Sequence, residues 1–142
     1  MWTCSKCGRI FSKENQPHSC KKIPLEEHFT NKGKAKDLFD FLVALINKEI
    51  GTTKTVSLPC CIHLFGVYDF LAALPKRDKL EVRFALDKEL VKAKFCVPLS
   101  TTTYKNCFDI YSKEQFNHEF VGWLKESYHL KDKDKEYVVA GS

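Results

Sequence analysis

Leu80-Glu81-Val82-Arg83-Phe84-Ala85-Leu86 is the segment that decides the fold, because its large apolar side chains fall on alternate positions without a break. In a β-strand those apolar residues would share one face, and Glu81 and Arg83 would share the other. Such alternation is typical of a sheet with one buried and one solvated face. The run Tyr68–Leu74 comes before it, and Pro75-Lys76-Arg77-Asp78 supplies turn residues between the two. The pair therefore predicts a β-hairpin.

Further strands and two helices are expected on either side of this hairpin. Short apolar runs predict strands at 55–58, 62–65 and 101–111. Apolar residues between 38 and 46 recur at the i, i+3, i+4, i+7 and i+8 positions, which predicts an amphipathic helix from about 34 to 49.

A second helix is expected after Ser112, a residue type that favours the N-cap position. Its apolar face would consist of Phe116, Phe120, Val121, Trp123, Leu124 and Tyr128. An aromatic row at helical spacing indicates core packing. Phe84 and Trp123 are accordingly expected to be buried. The body of the chain thus has the pattern of an α+β domain.

The composition sets the size and the expected compartment. The chain has 142 residues, of which 44% are hydrophobic, enough for one compact domain beside a small N-terminal module. It contains no run of eighteen apolar residues and no signal-peptide pattern at its start, which favours a cytoplasmic protein without a membrane partner. Adjacent Cys60 and Cys61 do not pair readily with each other, and Cys96 and Cys107 fit small core residues, so a reducing cytoplasm is the simpler setting.

Cys4, Cys7, His18 and Cys20 suit one tetrahedral Zn²⁺ ion. A Cys-x-x-Cys turn places two thiolates on one edge of the tetrahedron, and Gly8 directly after it lets the backbone turn back. Four protein ligands leave no open position, so the sequence predicts a structural zinc knuckle or ribbon.

These cysteines have two other interpretations, and the fourth ligand has one alternative. A redox Cys-x-x-Cys would normally open a helix, whereas here a strand-like Arg9-Ile10-Phe11 follows it. An iron–sulfur cluster prefers four cysteines at other spacings. His28 is the alternative fourth ligand to His18. It falls in a short helical turn, where a histidine is more often an ordinary surface residue.

The positive charge is concentrated at the N-terminus. Residues 1–36 carry eight Lys or Arg and three Asp or Glu, whereas the remainder is balanced at fifteen of each. Some of the excess would offset three thiolates around zinc, and the surplus would be available to an anionic partner. The candidate nucleic-acid-binding residues are Lys6, Arg9, Lys13, Lys21 and Lys22.

Several motifs together resemble domain of unknown function 5655. They are Trp-x-Cys-x-x-Cys-Gly-Arg-x-Phe at residues 2–11 with His18-x-Cys20, then Leu25–Phe29, Asp69–Leu71, Leu80–Phe84, Phe108–Ser112 and Trp123–Tyr128. Domains of that family are similar to YdhG-like domains, so the resemblance implies helices packed on one face of a small antiparallel sheet. It implies no established activity. Asn106 stands where members of the family often carry a histidine.

These observations divide the chain into a zinc knuckle at 1–22, an α+β domain at 23–130 and a charged tail at 131–142. The expected function is a zinc-binding, non-enzymatic module that associates with DNA or RNA through phosphate contacts. A protein-interaction module with purely structural zinc is the alternative. An enzyme is the third hypothesis, although the sequence contains no catalytic motif. A general base would then have to be a lone residue such as His63, Asp69 or Glu81. His63 is expected on the outer face of the sheet as a half-exposed strand residue.

Overall fold

The structure is a computed structural model in which residues 2–6, 10–11, 13–17 and 22–130 are described. A short N-terminal hairpin pairs β1 (Trp2–Thr3) with β2 (Ile10–Phe11). The body begins with a 3-10 turn at Leu25–Phe29 and helix α1 at Gly33–Glu49. The remaining elements are β3 (Lys54–Ser57), β4 (Ile62–Phe65), β5 (Asp69–Pro75), β6 (Leu80–Leu86), β7 (Phe95–Pro98), β8 (Tyr104–Ile110), a 3-10 turn at Lys113–Gln115 and helix α2 (His118–His129).

The body is α+β, with two helices against a sheet of six antiparallel strands in the order β3-β4-β5-β6-β8-β7. This architecture confirms the class expected from the sequence. The helix predicted at 34–49 and the strands predicted at 62–65 and 80–86 lie within a residue of the expected bounds. Strand β7 was not predicted, because it is a four-residue edge strand whose side chains are mostly exposed.

Both helices contact β5 and β6 and also contact each other, so they cover the same face of the sheet. The four alternating apolar residues of β6 lie in the main core, together with Leu42 and Ile46 of α1 and Phe120 and Leu124 of α2. The predicted burial of Phe84 is confirmed at 1% exposure. Trp123 was expected to be buried too, but it is only partly buried, because it packs at the margin of the core beside Phe108.

The start of the second helix differs from the expectation. Ser112 caps the 3-10 turn in a capping box with Gln115, and α2 begins later, at His118. Asn117 is the N-cap of α2, since its Oδ1 accepts a hydrogen bond of 2.9 Å from the backbone N–H of Phe120. Two polar residues that favour N-caps stand five positions apart, and each caps its own element.

The outer face of the sheet, opposite the helices, is less exposed to solvent than the alternation in β6 suggested. Glu81 is 6% exposed and Cys107 is fully buried. The cause is Arg83, whose Nη2 lies 2.6 Å from Oε2 of Glu81 and whose guanidinium stacks over the ring of Phe95 from the unpredicted strand β7. The expectation of a solvated Glu81 is therefore wrong.

Candidate metal centre

A bulge between β4 and β5 changes which side chains of β5 lie on the outer face of the sheet. Leu64 pairs with Leu71, but the next residue, Phe65, pairs with Asp69, so β5 contains an extra residue there. As a result Phe70 joins the main core at 1% exposure, and Asp69 lies beside the outer-face residue His63. Bulges commonly redirect a side chain in this way.

The turn between β3 and β4 brings two cysteines to the same place. The backbone N–H of Leu58 donates to the carbonyl oxygen of Cys61 at 3.0 Å, which closes the turn around Pro59 and Cys60. Cys61 and His63 are two positions apart in the chain and therefore lie on the same side of the sheet. Cys61 is 9% exposed, whereas Cys60 at the tip of the turn is exposed.

The three side chains form a compact group. The Sγ atoms of Cys60 and Cys61 are 2.9 Å apart, and Sγ of Cys61 is 3.1 Å from Nε2 of His63. The three ligand atoms all lie within 4.8 Å of one another, so Cys60, Cys61 and His63 could hold a metal ion. Around tetrahedral zinc such atoms stand about 3.5–3.8 Å apart, so a bound ion would require only a small separation of the two sulfurs. Among the described residues, no fourth Cys, His, Asp or Glu joins the group.

Asp69 lies on the opposite side of the imidazole. Its Oδ2 lies 2.7 Å from Nδ1 of His63, and the two side chains are 30% and 18% exposed. The contact is close but not an aligned hydrogen bond, because Nδ1 is buried without a partner of good angle. A carboxylate at this position favours the tautomer with its proton on Nδ1, which leaves the lone pair of Nε2 available to a metal ion.

The group also resembles the nucleophile, base and orienting carboxylate of cysteine hydrolases, with Cys61, His63 and Asp69 in those roles. The charge state of the thiol weighs against that use. Burial, together with the neighbouring Cys60, raises the pKa of Cys61 to about 12. Catalytic cysteines instead have lowered pKa values, because the thiolate is the nucleophile. A soft metal ion, by contrast, displaces the thiol proton on binding.

The N-terminal zinc site predicted from the sequence falls largely outside the described residues. Cys4 is described and is 5% exposed, whereas Cys7, His18 and Cys20 lie outside. Its coordination therefore stays a prediction.

His28, the alternative fourth ligand, was expected at the surface, but it is 9% exposed. Burial lowers the pKa of His28, although a backbone hydrogen bond with Leu58 opposes the shift. Its Nε2 is buried without a hydrogen-bond partner.

The predicted nucleic-acid contacts are only partly described. Lys6, Lys13 and Lys22 are exposed, as a phosphate contact requires, and Arg9 and Lys21 lie outside the described residues.

The sequence placed His63 on the outer face correctly but did not reveal its partners. The signal was present as Cys60-Cys61-Ile62-His63, a Cys-Cys-x-His pattern directly after a proline turn. On its own this pattern predicted only two unpaired cysteines and a lone strand histidine. Of the three lone residues named as candidate bases, His63 and Asp69 come together, whereas Glu81 is bonded to Arg83.

Comparison with protein-family models, curated proteins and solved structures gives no match to the chain. The resemblance to domain of unknown function 5655 therefore stays a prediction. In the part of the chain that the structure describes, no helix combines the length and apolar character needed to cross a membrane.

Proposed function

We propose that the protein binds a soft transition-metal ion, Zn²⁺ foremost, through Cys60, Cys61 and His63. The observation that carries the proposal is the 3.1 Å approach of the Cys61 thiol to Nε2 of an imidazole whose other nitrogen faces Asp69. Thiolate and imidazole ligands suit zinc, and a carboxylate behind the metal-binding histidine is the usual supporting contact.

The proposed centre differs from the predicted N-terminal knuckle in the spacing and number of its protein ligands. Its ligands come from residues 60–63 of a single turn, so the ion cross-links no distant segments of the chain. Three protein ligands also leave a coordination position for water or another ligand, as in exchangeable and catalytic sites.

The N-terminal knuckle is a second, structural zinc site in this proposal. Its ligands would be Cys4, Cys7 and Cys20, with either His18 or His28 as the fourth. Burial of Cys4 and the unpartnered, buried Nε2 of His28 are both compatible with coordination. Four protein ligands would close the coordination sphere and hold the module together.

Metal analysis of purified variants tests the two sites separately. We expect two zinc ions per chain, one of which is lost in the double variant Cys60→Ser/Cys61→Ser and the other in Cys4→Ser/Cys7→Ser. Cys96→Ser is the matched control, because Cys96 is partly buried and its Sγ lies 3.0 Å from Oδ1 of Asn106, away from the proposed ligands. Unchanged zinc content in Cys60→Ser/Cys61→Ser would overturn the proposal.

The same measurement identifies the fourth ligand of the N-terminal site. His18→Ala and His28→Ala are compared in the background that lacks Cys60 and Cys61, so that only the N-terminal ion is counted. Loss of that ion in only one of the two variants names the ligand.

Association with nucleic acid is a second candidate function, favoured by the charge division along the chain and by the exposure of Lys6, Lys13 and Lys22. Binding through a few phosphate contacts would be weak, with a Kd of about 1–100 μM at physiological salt and a log-log salt slope near −3 to −4. Titration of labelled DNA and RNA at two salt concentrations measures both quantities. Absence of binding at low salt would favour the protein-interaction alternative.

A further inference from the structure

A cavity of about 180 Å³ opens on the outer face of the sheet beside the metal centre. His63 and Asp69 line it, together with Arg83 and Lys105. The register of the strands explains why a cavity forms here. His63, Ala72 and Arg83 are direct neighbours across β4, β5 and β6, and Ala85 pairs with Lys105 across β6 and β8, so two alanines stand among longer side chains.

Some charged side chains around the cavity have an oppositely charged partner among the described residues, and one does not. Oδ2 of Asp69 lies 2.7 Å from Nδ1 of His63, and Nε and Nη2 of Arg83 both contact Oε2 of Glu81 at 2.8 and 2.6 Å. Lys105 is half-buried, yet its side chain forms no hydrogen bond or ion pair with any part of the chain that the structure describes. The ammonium of Lys105 is therefore available to an anionic partner, which a bound anion would supply.

We propose that this cavity binds a small oxyanion, a phosphate or carboxylate group, through Lys105 and the remaining N–H groups of Arg83. Lys105 supplies the uncompensated charge, and Arg83 keeps Nη1 available because Glu81 occupies only Nε and Nη2. The small side chains of Ala72 and Ala85 provide the space. The anion would then lie beside His63, next to the metal centre. The site rests on the cavity and its charges, and it does not require the ion.

Titration with inorganic phosphate and, separately, with acetate tests the proposal, using backbone amide chemical shifts at constant ionic strength. We expect saturable shifts in residues around the cavity, with a Kd on the order of 1 mM. Replacement of Lys105 with Gln should weaken binding about tenfold. Lys125→Gln is the matched control, because it makes the same charge change at an exposed position on α2, the helix packed on the opposite face of the sheet. It should leave the Kd unchanged.

Two further variants test the role of the cavity space and the independence from the metal site. Ala85→Leu fills the cavity without changing any charge, so it should also weaken binding. The double variant Cys60→Ser/Cys61→Ser should still bind the anion, which separates this proposal from the proposed metal site. Preference for phosphate or for acetate identifies the class of ligand. Equal affinity in Lys105→Gln and in the unaltered protein, or the absence of saturable shifts with both anions, would overturn the proposal.

Discussion

Oδ2 of Asp69 lies 2.7 Å from Nδ1 of His63 because a single extra residue in β5 shifts the strand register. Regular alternation from Leu71 would turn Phe70 toward the outer face and Asp69 toward the core. The bulge places the phenyl ring in the core and leaves the carboxylate beside the imidazole. The irregularity in the sheet therefore creates the support for the proposed metal ligand.

Replacing Asp69 with Asn should lower zinc affinity about 10–100-fold, because the carboxylate orients the imidazole and raises its basicity. Competition with a chromophoric chelator, in the Cys4→Ser/Cys7→Ser background that lacks the N-terminal site, measures the affinity. Asp78→Asn, in the exposed turn before β6, is the control and should have no effect. Equal affinities in the two variants would mean that Asp69 does not support a metal ligand.

Replacing Phe84 with Ala should cost about 3–5 kcal/mol of unfolding free energy, since its ring is 1% exposed and stacks on Phe108. Trp123→Ala should cost less, because Trp123 is only partly buried. Chemical denaturation of both variants gives the comparison. A larger loss for Trp123→Ala would contradict the arrangement of the core described above.

Replacing Glu81 with Gln should cost about 1–3 kcal/mol, because it removes the charge that Arg83 contacts at a position only 6% exposed. Glu114→Gln, at an exposed position, should change stability by about 0.5 kcal/mol or less. Denaturation midpoints of the two variants provide the comparison. Equal midpoints would support the solvated outer face that the sequence suggested.

Asp109 should stabilise the folded protein at neutral pH, and acid should remove that stabilisation. Burial alone would raise the pKa of this carboxyl, but hydrogen bonds from Lys94 and Lys79, each 3.0 Å from Oδ2, hold it below its ordinary value of 3.8. A lowered folded-state pKa stabilises the protein above the unfolded-state value, and that stabilisation is lost as the pH falls through the folded-state value.

Asp109→Asn should therefore be less stable at pH 7 by on the order of 1 kcal/mol, and the difference should shrink below about pH 4. Urea denaturation at several pH values, down to about pH 2, measures the difference. A difference that stayed constant over that whole range would show that the charge of Asp109 is not involved.

The sequence predicted the regular parts of this fold better than the site. Alternation in β6 and helical spacing in α1 follow from burial of one face, so both were visible in a single chain. The bulge at Asp69 and the edge strand β7 depend on pairing between strands, which leaves no simple periodic signal. For the same reason His63 could be placed on the outer face, but its contacts with Cys61 and Asp69 could not be predicted.

Titration with Co²⁺ tests the central claim most directly, because a cobalt–thiolate bond gives a charge-transfer absorption that zinc lacks. Cys4→Ser/Cys7→Ser provides a background in which the N-terminal site is disabled. In that background we expect one Co²⁺ per chain with thiolate charge-transfer absorption, and further replacement of Cys60 and Cys61 with Ser should abolish the absorption. Absence of the absorption before the second pair is replaced, or its persistence afterwards, would contradict metal binding by Cys60, Cys61 and His63.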